Sequence, residues 1–385
     1  MQTDLTVDQI STCLAGKNID FIVCGSIACV ESPRLIRALR RLGARVRPFQ
    51  TEGGAMFITK ISLEWASAEP VVEAFTGLST HLATSDAIVI APITADFIAK
   101  VALGICGDPA SALVQSAMGQ GKKIIAIPAM HDSLWNSAAT QKNLDVAKKW
   151  ITFLEPRQEE GKRKFPDPDE AADRISHEIC KNSCDVLVTM GPTKAYLDDV
   201  RFISNYSSGA LGTAIVRELF RHGASVYCVA GPSLIKPNVF SAMLNVETNN
   251  EMLEAIKSIT SQRKTHLIMA AAVLDYVPKE RVSGKMRSGA LGKSIELVPT
   301  TKILSDLDPN GKKRIAFKLE PEGSDLDGTS KEYLERYSLD YLFTNRISAV
   351  SSVEHKGTLF SHSGSWNLNS KSEIALKLAE ILVET

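Results

Sequence analysis

Short apolar runs alternate along this chain with stretches whose apolar residues recur at helical spacing, the marks of buried strands and half-buried helices. Residues 21–24, 45–49, 86–92, 123–128 and 151–154 read as strands, with helices at 33–42 and 138–150. Thr94 is placed to cap a helix that follows the third of these strands. The alternation resumes with Val186, Leu187 and Val188 and continues through strands at 225–229, 243–246, 266–270, 314–317 and 341–344. Helices are expected at 171–179, 250–260, 329–337 and 371–383, the last apolar at Ile374, Ala375, Leu378 and Leu382. Strands that are apolar throughout must be covered on both faces, and crossover helices cover them. The expected fold class is therefore α/β, with two doubly wound parallel sheets.

Three segments break the pattern. Residues 1–17 read as a short helix or loose arm. Residues 155–170 are charged, proline-bearing and free of aliphatic side chains, as a surface loop between domains would be. With the helix after it, this loop makes 155–184 a connecting segment between domains at 18–154 and 185–385. The third segment, 277–298, carries Lys279, Arg281, Lys285, Arg287 and Lys293 with Gly284, Gly289 and Gly292. That is too basic and glycine-rich for a core element and fits an extended arm, one that crosses into a partner subunit or folds over a ligand.

Composition narrows the function classes. Lys+Arg 44 balances Asp+Glu 44 over 385 residues, which leaves no global field for gathering nucleic acid or an anionic membrane. Charged residues at 23% and hydrophobic ones at 44% suit a globular protein. No apolar run is long enough to span a bilayer, and no basic region precedes an apolar block near Met1, so a cytoplasmic enzyme is expected. The seven cysteines are scattered. Cys180 and Cys184 have helical spacing but no second ligand pair, which favours plain thiols over zinc.

The stretch 189–212 carries the most chemistry. A polar loop with glycines joins the strand at Val186 to a helix holding Ile215, Val216 and Leu219. Ligands of open α/β sheets bind at such strand ends. Gly191 and Gly209 admit close backbone approach, and Ser207, Ser208 and Gly209 open a helix whose free N–H groups suit an anion. There is no G-x-G-x-x-G and no complete Walker A; Leu291-Gly-Lys-Ser294 lacks the first glycine. Gly25-Ser26 and Ala91-Pro-Ile-Thr-Ala95 each follow a strand and suit either a tight turn or a phosphate site. Lys285 lies between glycines and could meet a triphosphate; Asp275 could hold Mg²⁺ together with phosphates. His81 and His131 follow apolar stretches, where a lone histidine is more often structural than catalytic.

These residues give the whole chain a resemblance to the bifunctional flavoprotein family of coenzyme A biosynthesis, phosphopantothenoylcysteine decarboxylase joined to phosphopantothenate–cysteine ligase. The ligase half carries it most specifically. Gly191-Pro-Thr193, Asp198, Val200-Arg201, Ile203-Ser-Asn-Tyr-Ser-Ser-Gly209 and Gly212 resemble the ligase signature, as do Ala270-Ala-Ala-Val273, Asp275-Tyr276, Lys285-Met286 and Ala316-Phe317. The resemblance implies a Rossmann-like ligase domain with a protruding arm, behind a flavodoxin-like domain. It implies that CTP or ATP activates 4′-phosphopantothenate as an acyl nucleotide and that cysteine's amine then forms the amide. Asn205 and Lys285 would act in catalysis. Gly191, Pro192, Thr193, Arg201, Ser207, Ser208, Gly209, Ala271, Asp275 and Phe317 would bind substrate and nucleotide, with Mg²⁺ at Asp275. The arm resembles the family's dimerisation element, so a homodimer through the ligase domain, or a larger homo-oligomer containing it, is implied.

Some residues depart from the family. Phe317-Lys-Leu-Glu320 resembles the eukaryotic ligases, associated with ATP, and Thr300-Thr-Lys302 stands where bacterial members show Asn-Pro-Asp. CTP is slightly preferred on balance. In the first half Gly25-Ser26, Thr51, Phe57, Thr94-Ala95 and Asn143-Leu144 resemble the flavin-binding part, which implies FMN. Leu78 stands at the catalytic histidine's position, with His81 three residues on, and His131 replaces the asparagine of Pro-x-Met-Asn. No cysteine lies between Cys106 and Cys180 to supply the flap thiol. The expectation is that this half no longer decarboxylates, and retains FMN or serves as an oligomerisation scaffold. The alternatives are a fully bifunctional enzyme, with His81 or His131 substituting, and a non-catalytic flavin-binding protein.

Overall fold

The computed structural model describes residues 4–287, 294–300, 302–307, 312–349 and 355–383. Gly289, Gly292 and Lys293 of the expected arm, the Leu291-Gly-Lys part of 291–294, and Thr301 lie outside them. The chain divides between Lys181 and Asn182 into two compact units.

In the first unit the strands are β1 (Asn18–Val23), β2 (Arg45–Gln50), β3 (Ala87–Ile93), β4 (Lys123–Pro128), β5 (Met130–His131), β6 (Ile151–Phe153), β7 (Arg157–Glu159) and β8 (Lys162–Lys164). The main sheet runs β2-β1-β3-β4-β6, all parallel, which is the flavodoxin-like order with its reversal between β1 and β3. Side chains alternate along each strand, so two cores form. Phe21, Val23, Val89 and Ile125 pack on one face with Leu35, Leu39 and Ile175; Ile22, Ile88, Ile90 and Ile124 pack on the other with Phe97, Ile98 and Val114.

Two expectations for this unit are corrected. The start of the chain is anchored from residue 10 onward: the N–H groups of Ile10 and Leu14 donate to the carbonyls of Arg41 and Leu42, and Leu14 is fully buried. Residues 155–180 belong to this unit and not to a linker. β7 and β8 form a hairpin whose turn residues Glu160 and Gly161 have φ of 54° and 65°, the primed type that matches strand twist. β8 pairs in turn with β5. Phe165 is buried, and the helix Pro168–Cys180 places Ala171, Ala172 and Ile175 in the core. The hairpin escapes a hydrophobicity reading because its strands are polar on both faces.

In the second unit the strands are β9 (Asp185–Met190), β10 (Lys194–Tyr196), β11 (Phe202–Ser204), β12 (Ser225–Ala230), β13 (Ala242–Asn245), β14 (His266–Met269), β15 (Tyr276–Pro278), β16 (Leu297–Pro299), β17 (Arg314–Glu320), β18 (Tyr341–Arg346), β19 (Gly357–Ser361) and β20 (Gly364–Leu368). The main sheet runs β13-β12-β9-β14-β17-β18-β19-β20. Its first six strands are parallel in the doubly wound Rossmann order, and β19 and β20 add an antiparallel edge. Helices Ala210–Arg221 and Lys371–Val383 cover one face through Ile215, Leu219, Ile374 and Leu378. Met252, Ile256 and Leu334 cover the other. β15 and β16 pair antiparallel at the base of the expected arm.

Candidate functional site

β9 and β14 are neighbours, and the strand order reverses between them. The loops leaving their carboxyl ends therefore part and leave a crevice. A cavity of about 670 Å³ opens there, lined among others by Gly191, Asn205, Ser207, Ser208, Gly209, Ala271, Asp275 and Phe317. A volume of that size suits a ligand larger than an amino acid.

Gly191 makes the tight exit from β9 possible. Its φ is +75°, and a Cβ there would sit 2.0 Å from Ser233 Oγ. The next two residues stitch the opposite loop in place. The Ala272 N–H donates to the Gly191 carbonyl at 2.8 Å. Buried Thr193 donates from Oγ1 to Asn249 Oδ1 at 2.6 Å and accepts from the Leu274 N–H at 3.1 Å. Pro192 and Thr193 thus shape the site from behind and do not line the cavity.

Asn205 does line it. Its Nδ2 donates to the carbonyls of Ala272 at 3.2 Å and Val273 at 2.8 Å, which orients the amide oxygen as the group available to a ligand. The helix Ala210–Arg221 begins after Gly209, whose φ is 82°, and its first N–H, that of Ala210, donates to Ser208 Oγ at 3.4 Å. Its first N–H groups face the Ser207–Ser208 loop, where an anion is favoured. Phe317 leaves β17 into the cavity and packs against Phe343, ring centroids 5.3 Å apart.

The structure also assembles residues not named as site residues from the sequence: Lys302, Lys318, Tyr333, Tyr337, Asn345 and His355 line the same cavity. Asn345 Nδ2 lies 3.3 Å from His355 Nε2, and the His355 ring stacks on Phe343. Tyr333 and Tyr337 stand one helical turn apart, their rings 5.3 Å from each other. Their spacing was visible in the sequence, but nothing local told a core tyrosine from a cavity wall.

Asp275 is placed differently from the metal ligand expected. It is the one carboxylate among the residues named for the cavity wall, and Lys302 Nζ stands 2.6 Å from its Oδ1. Among the described residues no group of three His, Cys, Asp or Glu is arranged to hold a metal ion.

Arg201 and Lys285 lie outside the cavity lining. Asp198, fully buried, organises both. Burial raises its carboxyl pKa, but N–H donors from Val200, Met286 and Arg201 and the Arg201 guanidinium at 2.6 Å outweigh that. The carboxyl is held well below the usual range. Arg201 also donates to the Met286 carbonyl at 3.3 Å. The neighbouring Asp199 accepts from the Gly284 N–H and from Arg281, each at 2.9 Å. Lys285 thus has an exposed side chain on a backbone fixed at both neighbours.

In the first unit the other candidates stand at adjacent strand ends. Gly25 follows β1, and its missing Cβ would meet the Gly53 backbone at 2.7 Å. Ser26 caps the short helix Ile27–Glu31, Thr51 caps Glu52–Ala55, and Thr94 caps the helix starting at Ala95. Three helix starts at the ends of β1, β2 and β3 suit a phosphate-bearing cofactor at the reversal point. His131 Nδ1 accepts from the Ser133 N–H at 3.2 Å, which leaves Nε2 to carry the proton of a neutral ring. His81 meets the edge of Phe75, centroids 5.5 Å apart, and its buried Nδ1 makes no hydrogen bond among the described residues.

No helix among the described residues is long and apolar enough to cross a membrane. Residues 8–180 match the family described as Flavoprotein, and residues 182–385 match the DNA/pantothenate metabolism flavoprotein C-terminal domain. The coenzyme A biosynthesis bifunctional protein CoaBC of Thermococcus kodakarensis is 34% identical over 363 residues, covering 90% of this chain and 89% of its own length. The proteins of that name from Haemophilus influenzae and Escherichia coli are 30% and 31% identical, covering 96% and 87% of this chain and 98% and 87% of their own lengths. With both domains matched and relatives aligned over nearly its whole length, this chain belongs to the CoaBC family of bifunctional coenzyme A biosynthesis proteins.

Proposed function

We propose that the second unit is a phosphopantothenate–cysteine ligase driven by a nucleoside triphosphate, CTP or ATP. The observation that carries this reading is the crevice between β9 and β14, where Asn205, the open helix start after Gly209, and Phe317 converge. A carboxylate is a poor electrophile. Attack by its oxygen on the α-phosphorus expels pyrophosphate and gives the acyl nucleotide a good leaving group. The amine of cysteine then attacks the acyl carbon, the nucleoside monophosphate leaves, and the amine gives up a proton. N–H groups of the first helical turn, with the Ser207 and Ser208 hydroxyls, hold phosphate oxygens as charge builds. Asn205 orients the acyl group. Lys285 supplies charge from the arm, and its exposed position fits delivery to a second copy, so a homodimer through this unit is part of the proposal. Mg²⁺ on the nucleotide phosphates would assist the departure of pyrophosphate.

For the first unit, Gly25-Ser26 and Thr94-Ala95 would hold FMN, which supplies the redox chemistry that labilises a carboxylate next to an oxidised thiol carbon. Loss of decarboxylation draws no support from the relatives, which are named as bifunctional. What supports it is Leu78, 84% exposed, in place of a histidine. A fully bifunctional chain is the second reading. It is favoured by the hairpin β7–β8, which pairs with the strand carrying His131 and gives that side chain a fixed mount. Mixing the pure protein with phosphopantothenoylcysteine separates the two: CO₂ release at a rate like that of the relatives selects the second reading, and none selects the first.

A further inference from the structure

Around Asp275 the chain provides a cation of its own. In the β15–β16 ladder Tyr276 stands opposite Pro299, which brings Thr300 against Asp275. The Thr300 N–H donates to the Asp275 carbonyl at 2.9 Å. That register carries Lys302 within reach, and its Nζ donates to Asp275 Oδ1 at 2.6 Å. Both side chains line the cavity and are about half exposed, 48% for Lys302 and 54% for Asp275. A Mg²⁺ ion at Asp275 would gain one protein oxygen and would have to displace an ammonium already seated there. Mg²⁺ is commonly held by one or two carboxylates together with substrate phosphates, and here the carboxylate oxygen it would use is already taken by an ammonium. Lys318, which lies 3.8 Å from Glu320, and Lys371 also line the wall, and among the described lining residues Asp275 is the one carboxylate, a balance that suits an anion.

We infer that Lys302, seated on Asp275, is a phosphate-binding residue for the nucleotide and does there what a bound divalent ion would otherwise do. This rests on the reading of the cavity as a nucleotide site. An ammonium has three donors; Asp275 takes one and leaves the others for phosphate oxygens. Burial works against the charge, but the bond to Asp275 holds the Lys302 ammonium above the ordinary lysine value, so it stays protonated.

The test is calorimetric titration of ATP and of CTP into the full chain in EDTA, with phosphopantothenate and cysteine absent. Binding without metal is expected, weakened about tenfold or more in Lys302→Gln, the loss typical of a charged hydrogen bond. Lys302→Arg should recover much of it, and neither substitution at this half-exposed position should lower the melting temperature. Equal affinities for the wild type and Lys302→Gln in EDTA, or binding only once Mg²⁺ is added, would overturn the inference. Failure of the ligase reading shows elsewhere: the wild type would bind nucleotide yet release no pyrophosphate when both substrates and Mg²⁺ are supplied.

Discussion

Asn205 spends both amide hydrogens on the carbonyls of Ala272 and Val273, so its oxygen is aimed before any substrate arrives. Asn205→Ala should cut turnover about a hundredfold, the usual cost of losing one preorganised polar group. Lys285→Gln should cost a similar factor, with melting unchanged in both because neither side chain is buried. Steady-state pyrophosphate release and a thermal scan check the pair; near-normal turnover in both removes them from the site. Gly191 answers to stability. Gly191→Ala puts a methyl group 2.0 Å from Ser233 Oγ at a φ of +75°, and should destabilise the second unit by about 1–3 kcal/mol. Ser233→Ala beside it should recover only part, because the backbone strain remains; denaturant unfolding of the single and double variants reads both. Gly191 and Gly209 were legible in the sequence because each sits in a polar loop between an apolar strand and a helical pattern, whereas Asn205 was named through the family resemblance. Lys302 was not, because its meaning comes from the β15–β16 register that sets it against Asp275.

At the scale of elements, the parallel strands were readable because burial on both faces leaves continuous apolar runs, as in Ala87–Ile93. Elements without that burial were harder. The hairpin β7–β8 is polar on both sides and read as a loop, and the edge strands β19 and β20 went unread for want of an apolar run. The root of the arm is held by Asp198 through donors from Val200, Arg201 and Met286. Asp198→Asn keeps the shape but loses the charge, and should speed amide hydrogen exchange at Met286 and at Gly284 beside it. Unchanged exchange there would mean the arm is held by other contacts. The sign with pH follows from the depressed carboxyl: its contribution is complete above the unfolded aspartate value near about 3.9 and fades as pH falls through the lower folded one.

Across each unit, strand order and helix placement position the chemistry, and both orders reverse where the candidate residues gather. In the second unit His266 ties whole-unit stability to pH. Burial, with Lys312 and Lys313 nearby, lowers its pKa from 6.5 to about 4, and its Nδ1 accepts from the Lys313 N–H. The unfolded chain binds that proton more readily, so stability is full above pH about 6.5 and declines towards about 4. Because the ring is half exposed, the loss should be about 1–2 kcal/mol. His266→Gln should flatten that limb of the pH–stability curve; an identical limb in the variant would assign the decline to other groups. The most direct measurement of the central claim combines pure protein, 4′-phosphopantothenate, cysteine, Mg²⁺ and CTP or ATP. The account predicts one pyrophosphate for each phosphopantothenoylcysteine formed, none without 4′-phosphopantothenate, and no sustained release beyond the first acyl nucleotide on each site without cysteine. Silence with both nucleotides under those conditions would contradict it.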